Sequence, residues 1–243
     1  MDATTAPSAS GLSVERLTRR FGKLVAVDDL TLWAERGSVL GLLGPNGAGK
    51  TSTLLCLAGL LRPDSGVISL DGRRLGADRS RYVSLIPETP EVYPMLTVWE
   101  HLVFVARSCR LADGWHIRAE QLLERLEIAD QRNTLGEALS KGMRQKTLIA
   151  CTVLAEAPVL LLDEPMIGLD PKGQRELRSI LRELREQGTA IVLSTHLLES
   201  AEAMCDRVVV MKKGRAVINA PIDELRFGEH GRSLEDVFLE VTQ

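Results

Sequence analysis

Near-continuous apolar runs alternate with helical periodicity along most of the chain. Strand-like runs lie at Leu12–Leu17, Val27–Trp33, Ser38–Leu43, Val67–Leu70, Tyr82–Ile86, Val159–Leu162, Ala190–Ser194 and Val208–Met211. Several are apolar at nearly every position, the pattern of parallel strands covered on both faces. The clearest helix is Pro171–Gln187. Asp170 caps it, Pro171 suits its first turn, Leu177, Ile180, Leu181 and Leu184 form one stripe, and Gly188 stops it. This alternation predicts an α/β fold around a mostly parallel sheet.

From about Pro87 to Ala155 the strand pattern disappears. Thr97-Val98-Trp99-Glu100 is a capping-box pattern opening a helix to about Arg110, a second helix runs from about His116 to Ala129, and a third begins near Ser140. An all-helical insertion at about residues 88–155 therefore divides the α/β core. Residues 1–10 read as a loose tail, 11–220 as the main domain and 221–243 as a C-terminal extension. Near that extension the pattern predicts a short strand from Val217, a turn at Ala220-Pro221, and a last helix near Leu234–Val241 capped by Ser233.

The chemistry begins where the run Ser38–Leu43 ends. Gly44-Pro45-Asn46-Gly47-Ala48-Gly49-Lys50-Thr51, followed by Ser52, fits the pattern G-x-x-x-x-G-K-[ST]. Its glycines let successive backbone N–H groups turn inward around a phosphate, and the helix opening near Lys50 adds its positive end. A plain strand-to-helix turn needs one glycine, not this set.

A second strand, Val159–Leu162, ends in Asp163-Glu164-Pro165. Asp163, at the strand tip, suits a Mg²⁺ ligand alongside Thr51, directly or through water. Glu164 points the other way and can polarise an attacking water. Thr195-His196 follows the run Ala190–Ser194, so His196 emerges at the carboxyl end of a parallel strand, where ligands of such sheets bind. His101, His116 and His230 have no such context. Leu139-Ser140-Lys141-Gly142-Met143 offers a second phosphate site by the same physics, with Ser140 capping a helix kept accessible by Gly142. It lies away from the first site, so one nucleotide touches both only if two copies face each other head to tail.

Charge and composition narrow the field. A net charge of −3 gives no footprint for wrapping nucleic acid. Cys56, Cys109, Cys151 and Cys205 stand far apart without a C-x-x-C pair, which predicts buried thiols in a reducing compartment. The start MDATTAPSASG has no basic region followed by an apolar one, so no secretory leader is expected. No apolar stretch approaches the ~18–20 residues of a membrane helix. Work at a membrane would go through a partner.

The phosphate loop, the Ser-x-Gly signature, the Asp-Glu pair, the loop Gly168-Leu169-Asp170 and His196 together resemble the nucleotide-binding subunit of an ABC transporter over nearly the whole chain. The resemblance implies a P-loop NTPase core with an N-terminal antiparallel β-subdomain and a signature-bearing helical subdomain. It implies ATP and Mg²⁺, with Lys50 on the β- and γ-phosphates and Glu164 as general base. It also places Ser140 and Gly142 on the γ-phosphate of the opposite subunit's ATP, with Asp170 working across that interface. Phe21 in "RRFGKLVAV" matches the adenine-stacking aromatic, against the alternative of a core phenylalanine.

"LSKGM", "IPETPEVYPMLTVWEHL" and "SLEDVFLEVT" resemble bacterial drug-resistance and related export ATPases, whose membrane subunits are separate chains. The implied protein is a homodimeric ATPase on the inner face of the cell membrane, bound to a membrane-spanning permease. Lys141, Met166 and Glu88 depart from the commoner residues of the family. Glu88, where glutamine is usual, would begin the hinge to the helical insertion and face the γ-phosphate and Mg²⁺, or else point to solvent or to the partner. A non-transport ABC ATPase of DNA repair or of ribosomes is the alternative, but no tandem cassette, zinc module or long coiled coil is visible. A signalling GTPase would carry an N-K-x-D motif, which the sequence lacks.

Overall fold

The apolar runs pair into two sheets. The structure, a computed structural model, describes residues 10–226 and Phe238. β1 (Gly11–Phe21), β2 (Leu24–Glu35), β4 (Ser65–Leu70) and the short β5 (Arg73–Arg74) form an antiparallel sheet in the order β2-β1-β4-β5. β3 (Val39–Leu43), β6 (Val83–Ile86), β7 (Val159–Asp163), β8 (Ala190–Thr195), β9 (Arg207–Lys212) and β10 (Arg215–Pro221) form the second, in the order β10-β9-β3-β8-β7-β6. All its pairs are parallel except β9 with β10.

The helices are α1 (Lys50–Ala58), α2 (Val98–Cys109), α3 (Trp115–Arg125), α4 (Lys141–Leu154), α5 (Pro171–Glu186), α6 (Leu198–Met204) and α7 (Ile222–Arg226). Period-two alternation explains why the central strands are apolar throughout. Leu43, Leu160, Leu162, Ile191 and Leu193 share one buried cluster with residues of α2 to α6. Their neighbours Leu42, Leu161, Val192 and Val209 belong to a second cluster with α1 and the antiparallel sheet. Each strand therefore needs hydrophobic side chains on both faces, and burying them is the main term holding the layers together.

α2, α3 and α4 occupy the segment between β6 and β7 where the strand pattern vanishes. The capping box at Thr97 is formed in full, with Thr97 and Glu100 each accepting from the other's backbone N–H. Arg125 of α3 reaches Glu176 and Glu183 of α5, each at 2.7 Å.

Several expectations change. The strand predicted from Val217 starts at Arg215, and Pro221 ends it in register with Arg207 rather than making a turn. A proline is tolerated there because β10 is an edge strand. The helix expected to reach Ala129 stops at Arg125, because Glu127 takes φ 55° and Ala129–Gln131 tightens into a 3₁₀ turn. Cys109 is exposed at the end of α2, whereas the other cysteines are buried and burial pushes the Cys151 and Cys205 thiols up to about 12. α6 and α7 escaped prediction because each is too short for a helical stripe. Residues 1–9 of the expected tail and Ser233, with all of the predicted last helix but Phe238, lie outside the described residues. Among the described residues no helix is long and apolar enough to cross a membrane.

Candidate functional site

β3 leads directly into the glycine loop, and the loop into α1. Gly49 has φ 104° and a Cβ there would stand 2.2 Å from the Ala26 carbonyl oxygen, so conformation and space both demand glycine. Gly49 is also the N-cap of α1, and no side chain covers the helix's first N–H groups. Those groups and the helix dipole favour an anion. Lys50 is buried, and its Nζ donates to the carbonyl oxygens of Gly44 at 2.8 Å and Pro45 at 3.3 Å. The loop thus carries a positive charge folded over its own backbone.

Asp163 ends β7 and is 3% exposed. Ser194 of β8 lies opposite it in the parallel register and donates its hydroxyl to Asp163 Oδ1, which leaves the other carboxylate oxygen for a ligand. The next residue, Glu164, has φ 48°, a left-handed backbone that costs ~1–2 kcal/mol for a residue with a Cβ. That turn redirects its side chain. Glu164 Oε1 comes within 2.8 Å of His196 Nδ1, and Glu164 is buried while His196 is about half exposed.

These groups meet in one cleft of about 780 Å³, which Phe21 and Leu24 also line. Asn46, Gly47, Gly49, Lys50, Thr51, Ser52, Glu88, Asp163, Glu164 and His196 all line it, whereas Gly44 is buried and does not. Phe21 is 45% exposed, which removes the reading of a core phenylalanine, and the Arg19 guanidinium stands 4.6 Å from its ring centre. The volume suits a nucleotide-sized ligand. Glu88 is exposed and lines a second, smaller pocket together with Thr51 and Asp163.

Ser140, Gly142 and Asp170 do not line this cleft. Ser140 is the exposed N-cap of α4, its hydroxyl accepting from the Met143 N–H at 3.3 Å. Asp170 caps α5, and the Gly173 N–H at 2.6 Å holds its carboxyl below the usual range. Lys213 and Ala26 line the cleft without having been singled out. Lys213 sits at the β9–β10 hairpin tip, which Gly214 ties to the Ala48 carbonyl. Its sequence signal was only that of a hairpin turn, Lys213-Gly214.

A model of the ABC transporter family matches residues 27–167. The chain belongs to the ABC transporter family. It is 34% identical over 238 residues to the ABC-type transporter ATP-binding protein EcsA of Bacillus subtilis (strain 168), covering 96% of each chain. It is 36% identical over 239 residues to the daunorubicin resistance ATP-binding protein DrrA3 of Streptomyces coeruleorubidus, covering 96% of this chain and 75% of that one. A solved structure described as the ATP binding subunit of an ABC transporter superposes with TM-score 0.91 at 35% identity, covering 96% of this chain and all of the other. This ABC subunit binds ATP and hydrolyses it to drive transport. A role in DNA repair or on ribosomes is not supported.

Proposed function

We propose that two copies of this ABC subunit close head to tail around two MgATP and power export through a membrane-spanning subunit made as a separate chain. The observation that carries this is the division of the phosphate-binding features. The cleft holds the glycine loop, the acidic pair and His196, while Ser140 stands exposed at another helix N-terminus outside it. A second copy supplies to each cleft what its own chain holds elsewhere. Export is favoured by the likeness to a daunorubicin resistance protein. The assembly works on the inner face of the cell membrane. Within 11–220, the helical segment 88–155 serves as the signature-bearing subdomain, and 221–243 is an extension beyond it.

Phe21 stacks on adenine, and the loop from Gly44 to Ser52 with Lys50 binds the phosphates. Glu164 takes the proton of the attacking water. His196 orients Glu164 through their 2.8 Å contact and reaches the terminal phosphate. Ser140, Gly142 and Asp170 complete the opposite subunit's site. Thr51, Asp163 and Glu88 offer hard oxygen donors on one side of the cleft. Such a set fits Mg²⁺, which takes one or two carboxylates plus phosphate oxygens. When bound, Mg²⁺ offsets the charge of the β- and γ-phosphates.

Ser140→Arg tests the assembly. A bulky side chain fills the place of the facing γ-phosphate, so the variant binds MgATP as a single chain with parental affinity in a calorimetric titration. In the Glu164→Gln background it fails to form the ATP-induced dimer in light scattering. A dimer of normal stability refutes the head-to-tail arrangement.

Glu88 adds a carboxylate to a site that already holds Asp163, Glu164 and a triphosphate. Like charges repel without the cation, whereas Mg²⁺ uses the extra oxygen. ATP affinity therefore depends more steeply on Mg²⁺ concentration in the parent than in Glu88→Gln. Identical dependence across a Mg²⁺ series places the carboxylate outside the metal site.

A further inference from the structure

The exposed Ser140 and the cleft residue Glu164 are joined within one chain by α4. The buried face of α4 lies against the loop that runs from Glu164 to Asp170. Gln145, 1% exposed, donates its Nε2 to the Pro165 carbonyl at 3.2 Å. Lys146, 8% exposed, places its Nζ 3.5 Å from Asp170 Oδ2. At the start of α4 a Cβ on Gly142 would stand 2.9 Å from the Gly168 carbonyl oxygen. The alkyl chain of Lys141 runs beside Gly168, its Cγ, Cδ and Cε 3.6–3.8 Å from where a Gly168 Cβ would be. α4 therefore touches the loop at 165, 168 and 170, and α5 holds it from the other side through Gln174, which reaches the carbonyls of Met166 and Leu169 at 3.3 Å each.

The Lys146 side chain is 10% exposed but that of Asp170 is 56% exposed, so the pair is open to water on one side and adds little stability. What Lys146 supplies instead is a tether between the signature helix and Asp170. Nor is the arrangement at its best hydrogen bonding. Gln145 Oε1 has no donor among the described residues, and flipping the amide would set it against the Pro165 carbonyl. Glu164 opens this loop on a left-handed backbone, so a shift of the loop re-aims its carboxylate.

We propose that Lys146, assisted by Gln145 and by the stem of Lys141, is a positioning residue for hydrolysis. It transmits the contact between Ser140 and the opposite subunit's nucleotide to Glu164 of its own subunit. The inference rests on the head-to-tail reading above. In the closed dimer each nucleotide then improves the geometry of the base acting on the other, and the coupling is reciprocal.

Lys146→Met keeps the stem and removes the charge, and Lys146→Arg restores a cation. The full chain is assayed for ATP turnover, cooperativity in ATP and calorimetric MgATP affinity. The Met variant retains the parental affinity, loses ~10–10²-fold in kcat, as a small misplacement of a reacting group costs, and its Hill coefficient falls from above 1 to about 1. Lys146→Arg recovers both. Parental kcat and cooperativity in the Met variant overturn the inference, as does an Arg variant as slow as the Met one, because a purely structural role would not sort the two by charge. If Lys146→Met does not fold, Lys146→Gln, which is polar and uncharged, decides. Reduced kcat at parental ATP affinity supports the tether, and parental kcat refutes it. A parent chain with turnover whose Glu164→Gln form makes no ATP-bound dimer refutes the head-to-tail reading itself, whatever the lysine variants show.

Discussion

Replacing Glu164 by glutamine lowers ATP turnover by ~10²–10⁴, the range for loss of a general base, and leaves an ATP-bound dimer. The substitution keeps the side chain's length and its capacity to accept from His196, so the cleft keeps its shape. It removes the basic oxygen. The buried carboxylate stands 2.8 Å from the His196 ring, and its left-handed backbone turns it away from the direction of Asp163. Nucleotide binding is untouched, because Lys50, Thr51 and the glycine loop remain. Phosphate release in the steady state and light scattering with ATP measure the two effects. Turnover at the parental rate would place the base elsewhere.

Lys50→Ala removes tight MgATP binding. The lysine is the cation of the glycine loop, and a hydrogen bond to a charged group is worth ~1.5–3 kcal/mol, so affinity falls by ~10–10²-fold. The fold tolerates the loss. Among the described residues Nζ bonds only to the Gly44 and Pro45 carbonyls. Pro45 is exposed, and the truncated side chain leaves space open to the cleft that Lys50 lines, so water can take up the bonds both carbonyls lose. Calorimetric titration reads the affinity, and a thermal midpoint near the parent's shows that the loss is local. Unchanged affinity would remove the glycine loop from the phosphate site.

Both predictions rest on residues legible in the sequence itself. The glycine loop and the Asp163-Glu164 pair stood out because each sets unusual residue types against an apolar strand, and parallel strands deliver their ends to one edge. The central sheet was legible for a related reason, since strands buried on both faces leave uninterrupted runs such as Val159–Leu162. What stayed hidden depends on distant pairing or on short elements. Ser194 reads as the tail of a strand, and only the β7–β8 register shows that it orients Asp163. Lys213 enters the cleft because a hairpin late in the chain folds over the phosphate loop. The two residues of β5 and the turn-and-a-half of α7 are too brief to carry a period. Asp170 reads as a helix cap, which it is, but its second oxygen faces Lys146 through a tertiary contact without any local signal.

The exposure of Cys109 has a practical consequence. Of the chain's four cysteines, Cys56, Cys151 and Cys205 are buried. Maleimide chemistry on the native, unengineered chain should therefore attach a single fluorophore, at the end of α2 in the helical segment. A dye there, paired with a nucleotide analogue as energy acceptor, gives a ruler between that segment and the bound nucleotide, and stopped-flow traces would report any change in that distance as ATP binds and is hydrolysed.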